Sequence, residues 1–405
     1  MSDTSQRGLL AQISAAHLVS HFHIMTIPAL LPLLPSAMGV SYVDLGIALG
    51  VFNIVTAVVQ APLGYAVDRF GAMRLLKLAL ALGSASFALL ILQPAYWVLV
   101  TVMVCAGVAN GVYHPSDYAL LSRGVTQDKM GRAFSIHTFA GFLGNALAPL
   151  TLVWLAINLD IRAAFAASAG LGVIVLLVLV IRGTPTSMES AITKVADEKP
   201  AASRIRISAM GAIPVLMLFF LLLNLSTGAI EKFSVAALVG GFDVALPTAN
   251  LALSAFLFAS AFGVLAGGVL ADRTERHGIL GAIVFGLAAL LIVAVILIPM
   301  SGIVLIATLG MAGFLTGCIA PSRDMLVRAA APAGAEGRVF GIVSTGFNVG
   351  GVLGPILFGY LMDKGSAAGV LWASAGFMMA TSVIVVFQEL RMRRPNKACT
   401  SDVTS

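Results

Sequence analysis

Charged residues are scarce in this chain of 405 residues, where Asp, Glu, Lys and Arg make up 10%, against about 25% in soluble globular proteins. With 59% hydrophobic residues, the composition excludes a soluble domain and indicates an integral membrane protein. Cysteine is also scarce. Three Cys without metal-ligand spacing, and no carboxylate or Cys beside His17 and His21 in the sequence, predict no metal site. The sequence has no Gly-x-x-x-x-Gly-Lys-Ser/Thr loop for direct use of ATP, no basic patch interleaved with aromatics for nucleic acid, and no grouped nucleophile and base. We therefore expect neither an enzyme with catalytic residues nor a cofactor.

The chain does have twelve long apolar runs, each close to the ~20 residues that cross a bilayer as a helix. These continuous runs lack the alternating pattern of a membrane β-barrel, so the spans are helices. They lie near 12–34, 45–67, 74–92, 96–119, 133–157, 163–181, 209–230, 247–270, 279–298, 302–322, 339–362 and 368–388. The predicted fold class is an all-α membrane protein with twelve transmembrane helices.

The two halves of the chain are related in sequence. Residues 131–150 (GRAFSIHTFAGFLGNALAPL) recur 206 positions later as 337–356 (GRVFGIVSTGFNVGGVLGPI). In so apolar a chain, a repeat of half its length is typical of a duplicated membrane transporter. We expect two pseudo-symmetric six-helix bundles with these boundaries: an N-terminal bundle at 1–181, a cytoplasmic linker at 182–206, a C-terminal bundle at 207–390 and a cytoplasmic tail at 391–405.

Basic residues fall on one side of the predicted membrane. The two tails and the loops after the even-numbered spans hold 21 of the 24 Lys and Arg residues, and the opposite loops hold only Arg162 and Lys364. The positive-inside rule then places both termini in the cytoplasm, so the protein is expected in a bacterial inner (plasma) membrane as a multi-pass protein.

A loop motif between spans 2 and 3 identifies a family. The motif Gly64-x-x-x-Asp68-Arg69-x-Gly71-x-x-Arg74 resembles the loop motif of the major facilitator superfamily, and a weaker copy stands at Gly268, Asp272 and Arg273. The resemblance covers nearly the whole chain and implies the major facilitator fold, in which spans 1, 4, 7 and 10 line a central cavity. Asp68, Arg69, Arg74, Asp272 and Arg273 are then expected to help close the cytoplasmic side.

Two further segments resemble the fosmidomycin-resistance group of exporters within that superfamily. They are His17 with Pro32-Leu33-Leu34 fifteen residues later, and Val112-Tyr113-His114-Pro115 at the end of span 4. The chain has Ser20-His21 where that group tends to have Asn-Asp, so the resemblance leaves the substrate open.

Polar residues inside apolar spans are candidates for the site, because ionisable groups in lipid usually face a bundle interior or a cavity. His17 and His21 lie four residues apart on one face of span 1. They are either a substrate or proton site, or histidines hydrogen-bonded between helices. Glu231 is a candidate gate or proton carrier, and Lys232 is a candidate contact for an anion. The alternative is that the two side chains snorkel together at the membrane edge. The remaining candidates are Tyr113, His114, His137, Asn224 and Asn348.

The repeat also suggests a gate. Asp117 and Arg323 follow the shared Pro-Ser of spans 4 and 10, and they carry opposite charges. We predict an ion pair between them when the cytoplasmic side closes; the alternative is local pairing of each residue within its own half.

The sequence therefore predicts a secondary transporter of a small organic solute, anionic or drug-like, that exports it in exchange for protons. The predicted partners are the solute, protons and the lipid bilayer, with the chain working as a monomer. An importer of the same fold and a membrane sensor without transport are the alternatives.

Overall fold

A computed structural model describes residues 3–126, 129–183, 213–330 and 336–392, and this part of the chain contains helices and no strands. The helices are α1 (Asp3–Leu30), α2 (Leu34–Met38), α3 (Tyr42–Phe70), α4 (Ala72–Leu92), α5 (Tyr96–Gly124), α6 (Met130–Asn158), α7 (Ile161–Arg182), α8 (Ile213–Gly241), α9 (Leu246–Asp272), α10 (His277–Leu297), α11 (Gly302–Ala330), α12 (Glu336–Asp363) and α13 (Ala367–Met392).

The predicted fold class is confirmed. All the described helices except the five-residue α2 are long and apolar enough to cross a membrane, which gives twelve spans. The N-terminal half comprises α1–α7 and the C-terminal half α8–α13. Residues 184–206 of the predicted linker and 393–405 of the predicted tail lie outside the described residues, and the domain boundaries stay a prediction.

The two faces of the helix bundle are defined here by the linker. The linker side carries the start of α1 and the end of α7, and the opposite side carries the loops that follow α1, α4 and α6. The positive-inside prediction makes the linker side cytoplasmic. Within the N-terminal half α1 packs on α6 and α3 packs on α5; within the C-terminal half α9 packs on α11 and α12 packs on α8.

The halves contact each other mainly through α3 with α12 and α6 with α9. At the first of these contacts glycines let the two backbones touch. A Cβ atom at Gly46 would overlap the Pro355 carbonyl, and one at Gly359 would overlap the Tyr42 carbonyl. Such close approach is the usual function of small residues between membrane helices, where packing replaces hydrophobic burial as the driving force.

A helix cap crosses between the halves beside these glycines. The backbone N–H groups of Tyr42 and Val43 donate to the Asp363 carboxylate at 2.9 and 2.8 Å, so the C-terminal half supplies acceptors for the first turn of α3. About two turns beyond Gly46, the Asn53 amide donates to the Gly351 carbonyl at 2.9 Å. The start of α3 and the end of α12 are therefore held by backbone packing and by hydrogen bonds.

The second contact repeats this arrangement with other residues. The Asn250 amide near the start of α9 donates to the Pro149 carbonyl near the end of α6, at 2.8 Å. These four hydrogen bonds between the halves lie towards the opposite side, and that side of the bundle is closed.

We predict that Gly46→Ala lowers the free energy of unfolding by about 1–3 kcal/mol, because the added methyl group meets the backbone of α12 and cannot be accommodated by a rotamer change. The matched control is Gly268→Ala, where a Cβ has nothing within 4 Å and helix propensity gives a gain of up to about 1 kcal/mol. Unfolding in mixed micelles measures both variants, and equal effects would contradict the close contact.

Candidate functional site

Four of the six histidines in the chain meet in one cluster inside the N-terminal half. The His17 ring stacks on His137 of α6 at 3.8 Å between centroids, and it meets His21 edge-on at 4.6 Å. His114 of α5 lies 5.5 Å from His17, also edge-on. The fold therefore brings together the predicted candidates His17, His21, His114 and His137 from three helices.

Asp117 lies at the centre of the cluster. It is fully buried, and its Oδ2 atom is 3.1 Å from Nδ1 of His17 and 3.5 Å from Nε2 of His137. The first contact has hydrogen-bond geometry and the second does not. Its other oxygen, Oδ1, has no hydrogen-bond partner among the described residues. We call His17, His21, His114, Asp117 and His137 the histidine–aspartate cluster.

Glycines on α6 make room for the cluster. A Cβ atom at Gly141 would lie 2.8 Å from the His17 ring, and one at Gly144 would overlap the Leu18 carbonyl of α1. The two glycines lie about one turn apart on α6, so α1 approaches closely enough for its histidines to reach Asp117. The glycines of α6 therefore allow close helix packing and also make room for the cluster.

The position of Asp117 bears on the prediction that the chain has no metal site. Our expectation of no metal site relied on the absence of a carboxylate near the histidines, and Asp117 removes that reason. Ligand atoms of His17, Asp117 and His137 lie within 4.8 Å of one another, close enough to hold a metal ion. A metal-bound histidine almost always uses its second ring nitrogen in a hydrogen bond. Neither ring nitrogen of His137 has such a partner in the described part of the chain.

A row of aromatic rings connects the cluster to a cleft between the halves. The His114 ring stacks on Tyr118 at 6.0 Å, and Tyr118 contacts Phe134 of α6 at 5.4 Å. Phe134 lines a cleft of about 180 Å³ whose other wall is formed by Ala261, Val264 and Leu265 of α9. Tyr118 is half exposed, whereas Asp117 beside it is fully buried. Two rings, Tyr118 and Phe134, therefore connect the cluster to the cleft between the two halves.

The remaining substrate candidates lie apart from the cluster. Tyr113 is buried and borders a small space with Ser20 and Asn110. The other four belong to the C-terminal half, where Asn224 packs against Gly350, Glu231 and Lys232 are partly buried on α8, and Asn348 is exposed on α12. Within the described residues, the Glu231 and Lys232 side chains make no hydrogen bond and no ion pair shorter than 4.0 Å.

The gating candidates contact residues of their own halves. Asp68 lies 3.4 Å from Arg123 of α5, and Arg69 lies over the Phe70 ring. Asp272 and Arg273 are exposed at the end of α9, and Arg74 is exposed on α4.

The predicted pair of Asp117 with Arg323 is absent from this structure. Arg323 donates to Asp324 at 2.8 Å and lies over the Phe220 ring, which is the local pairing considered as the alternative, and Asp117 contacts His17 and His137. Asp117 thus lies in the buried cluster and contacts residues of its own half. The pair was predicted for a closed cytoplasmic side, and for that conformation it stays a prediction.

We predict an energetic coupling of about 0.5–3 kcal/mol between His17→Ala and Asp117→Ala in a double-mutant cycle on the free energy of unfolding, because the two side chains share one buried network. His23→Ala is the matched control, since His23 is buried on the same helix but bonds the Ser168 carbonyl of α7 and shares no partner with Asp117. Additivity for the first pair, within about 0.3–0.5 kcal/mol, would contradict the contact.

Comparison with known proteins places this architecture in a family. The sequence model described as Major Facilitator Superfamily matches residues 13–238 and 229–402. The fosmidomycin resistance protein of Escherichia coli strain K12 is 25% identical over 397 residues, covering 94% of this chain and 92% of that protein. The E. coli multidrug resistance protein MdtH is 25% identical over 345 residues, covering 82% and 80%.

A solved structure shares the fold. The crystal structure of a bacterial homologue of the human lysosomal transporter Spinster, in an inward-facing and unoccupied conformation, superposes with a TM-score of 0.74 at 15% identity, covering 96% of each chain. Twelve membrane helices, a sequence match over both halves and this shared fold agree with one another. The chain belongs to the Major Facilitator Superfamily, a family of non-enzymatic membrane transporters.

Proposed function

We propose that this protein is a proton-coupled exporter of a small organic solute in a bacterial inner membrane, and that the histidine–aspartate cluster binds the coupling proton. The family supplies the transport function. The observation that carries the coupling is the burial of Asp117 among histidines, with one carboxylate oxygen lacking any described partner.

Among the described residues, Asp117 has fewer hydrogen-bond partners than an ionised carboxylate needs. An ionised carboxylate can accept about four hydrogen bonds, and the described residues give Asp117 one in good geometry. A buried charge without enough partners is costly inside a membrane. A proton bound to the carboxyl removes this cost, because the neutral acid has no charge to solvate. The cluster is therefore suited to bind and release one proton during a cycle.

The cluster lies where binding of a proton can affect the contact between the two halves. The cluster joins α1, α5 and α6, and α6 also packs on α9 of the other half. A change of charge at Asp117 alters how α1 and α5 pack on α6. The rings of Tyr118 and Phe134 connect the cluster to the inter-half cleft. We propose that proton loss at the cluster and solute binding in the cavity are linked in this way, as alternating access requires a bistable contact between the halves.

The predicted orientation is compatible with export, the direction that we propose. The described hydrogen bonds between the halves lie on the opposite side, so the cavity faces the linker side, which we propose is cytoplasmic with both termini. An exporter loads its solute from that side. The printed names of two relatives, a fosmidomycin resistance protein and a multidrug resistance protein, also favour export.

For the solute, we propose a drug-like organic anion. Candidate contacts in the C-terminal half are Lys232, Glu231 and Asn224 on α8, with Asn348 on α12, and the candidate in the N-terminal half is Tyr113. Lys232 makes no ion pair shorter than 4.0 Å with a described residue, and we propose that it contacts the anion. The pathway lies between two halves of one chain, so a monomer is sufficient for transport.

Two alternatives use the same fold. A proton-coupled importer would use the same residues with the solute moving in the other direction, and a membrane sensor would bind the solute without moving it. Counterflow in vesicles of known orientation separates these outcomes from export.

We predict that everted membrane vesicles containing the protein lose part of an imposed proton gradient when a transported solute is added, with fosmidomycin as the first probe and a panel of antibiotic anions as the second. Asp117→Asn should reduce this proton flux by roughly tenfold or more, corresponding to about 1.4 kcal/mol, because an amide cannot bind and release the proton. A pH-sensitive dye in the external medium measures the flux.

The matched control is Asp243→Asn. Asp243 is exposed and has φ 52°, a backbone conformation that Asn also adopts readily, so the exchange should leave the flux unchanged. A solute that moves equally well in Asp117→Asn and the wild type, with the same pH profile, would exclude Asp117 as the proton site. No solute movement in any vesicle orientation would favour the sensor.

A further inference from the structure

A second polar site lies away from the inter-half cleft, in a groove between the linker-side ends of α1 and α6. The groove has a volume of about 450 Å³. Three cations line it: Arg7 on α1, and Lys129 and Arg132 at the start of α6. All three are exposed. The two lining stretches, 3–11 and 129–136, contain one acidic residue, Asp3, so they carry a formal excess of two positive charges.

The same groove has an apolar wall that begins directly beyond the cations. Leu10 and Ala11 of α1 and Ile136 of α6 continue the groove towards the membrane centre, and Ile136 is 42% exposed. Phe134, on another face of α6, lines the cleft between the halves, whereas Ile136 does not. The groove therefore lies on a part of the surface separate from the transport cleft.

The three cations of the groove lie at the membrane depth of lipid headgroups. Lys129 precedes the first residue of α6 and Arg132 belongs to its first turn, while Arg7 lies in the second turn of α1. These are the ends of membrane spans, where headgroups lie. The start of α6 also has no side-chain cap, so its first backbone N–H groups add to the positive potential. Cations at headgroup depth above an exposed apolar wall match the two parts of a phospholipid.

We propose that this groove binds an anionic phospholipid, with the headgroup phosphate at Arg132, Lys129 and Arg7 and an acyl chain along Leu10, Ala11 and Ile136. Basic pockets between membrane helices on the cytoplasmic side bind anionic headgroups for the same physical reason. A bound lipid would join α1 to α6, the two helices that also carry His17 and His137. The proposal does not depend on the transported solute.

The test is native mass spectrometry of the purified full-length protein after incubation with phosphatidylglycerol or phosphatidylcholine at equal concentrations. The wild type should retain phosphatidylglycerol preferentially, and Arg132→Gln should reduce that retention by roughly fivefold, the effect of removing one cation near a membrane surface. The matched control is Arg162→Gln, which removes an exposed arginine from the first turn of α7 on the opposite side. It should retain the lipid as the wild type does.

A second variant tests the apolar part without changing the charge. Ala11 is exposed in the groove, so Ala11→Phe should fill the acyl-chain path and displace the lipid while the fold is kept. Equal losses in Arg132→Gln and Arg162→Gln, or unchanged retention in both groove variants, would overturn the proposal. Displacement of the lipid by inorganic phosphate alone at a similar concentration would also overturn it, because the site would then bind a soluble anion.

Discussion

The contact between Asp117 and His17 is the interaction on which the proposed mechanism depends. A carboxyl group that is fully buried in the membrane-spanning part of a bundle needs either a proton or a positively charged partner. Imidazoles on α1 and α6 lie next to it, and each can be neutral or charged. The charge state of this one group therefore affects the packing of three helices, of which α6 borders the cleft between the halves.

Close backbone contact holds the bundle together at two places. Glycines allow α3 to touch α12 and allow α1 to touch α6, so the same kind of residue both closes the opposite side and makes room for the histidine–aspartate cluster. Contacts of this type are either made or broken, since a packed interface does not deform gradually. The Asp363 cap on the start of α3 adds a polar contact that must be exchanged for water when the opposite side opens.

Much of the fold was predictable from the sequence, because twelve apolar runs of the right length and a half-chain repeat leave few other architectures. The four clustered histidines were named as candidates from their positions inside spans, but their meeting point was not predictable. His17 and Asp117 are 100 residues apart, and only the packing of α1 on α5 and α6 brings them together. The repeat suggested that Asp117 would pair with Arg323, since internal symmetry relates positions in the sequence without giving their side-chain directions. Asp363 as a cap was missed, because its partners are backbone groups of another half.

The most direct test of the proton site is infrared difference spectroscopy of the purified protein during a pH titration, with spin-label distances between Ser41→Cys and Lys364→Cys measured in the same samples. The account predicts a protonated-carboxyl band in the wild type that is missing from Asp117→Asn. It also predicts that this band disappears over the same pH interval in which the labelled ends of α3 and α12 move apart. A band that persists in Asp117→Asn, or a distance that responds to pH equally in both proteins, would contradict it.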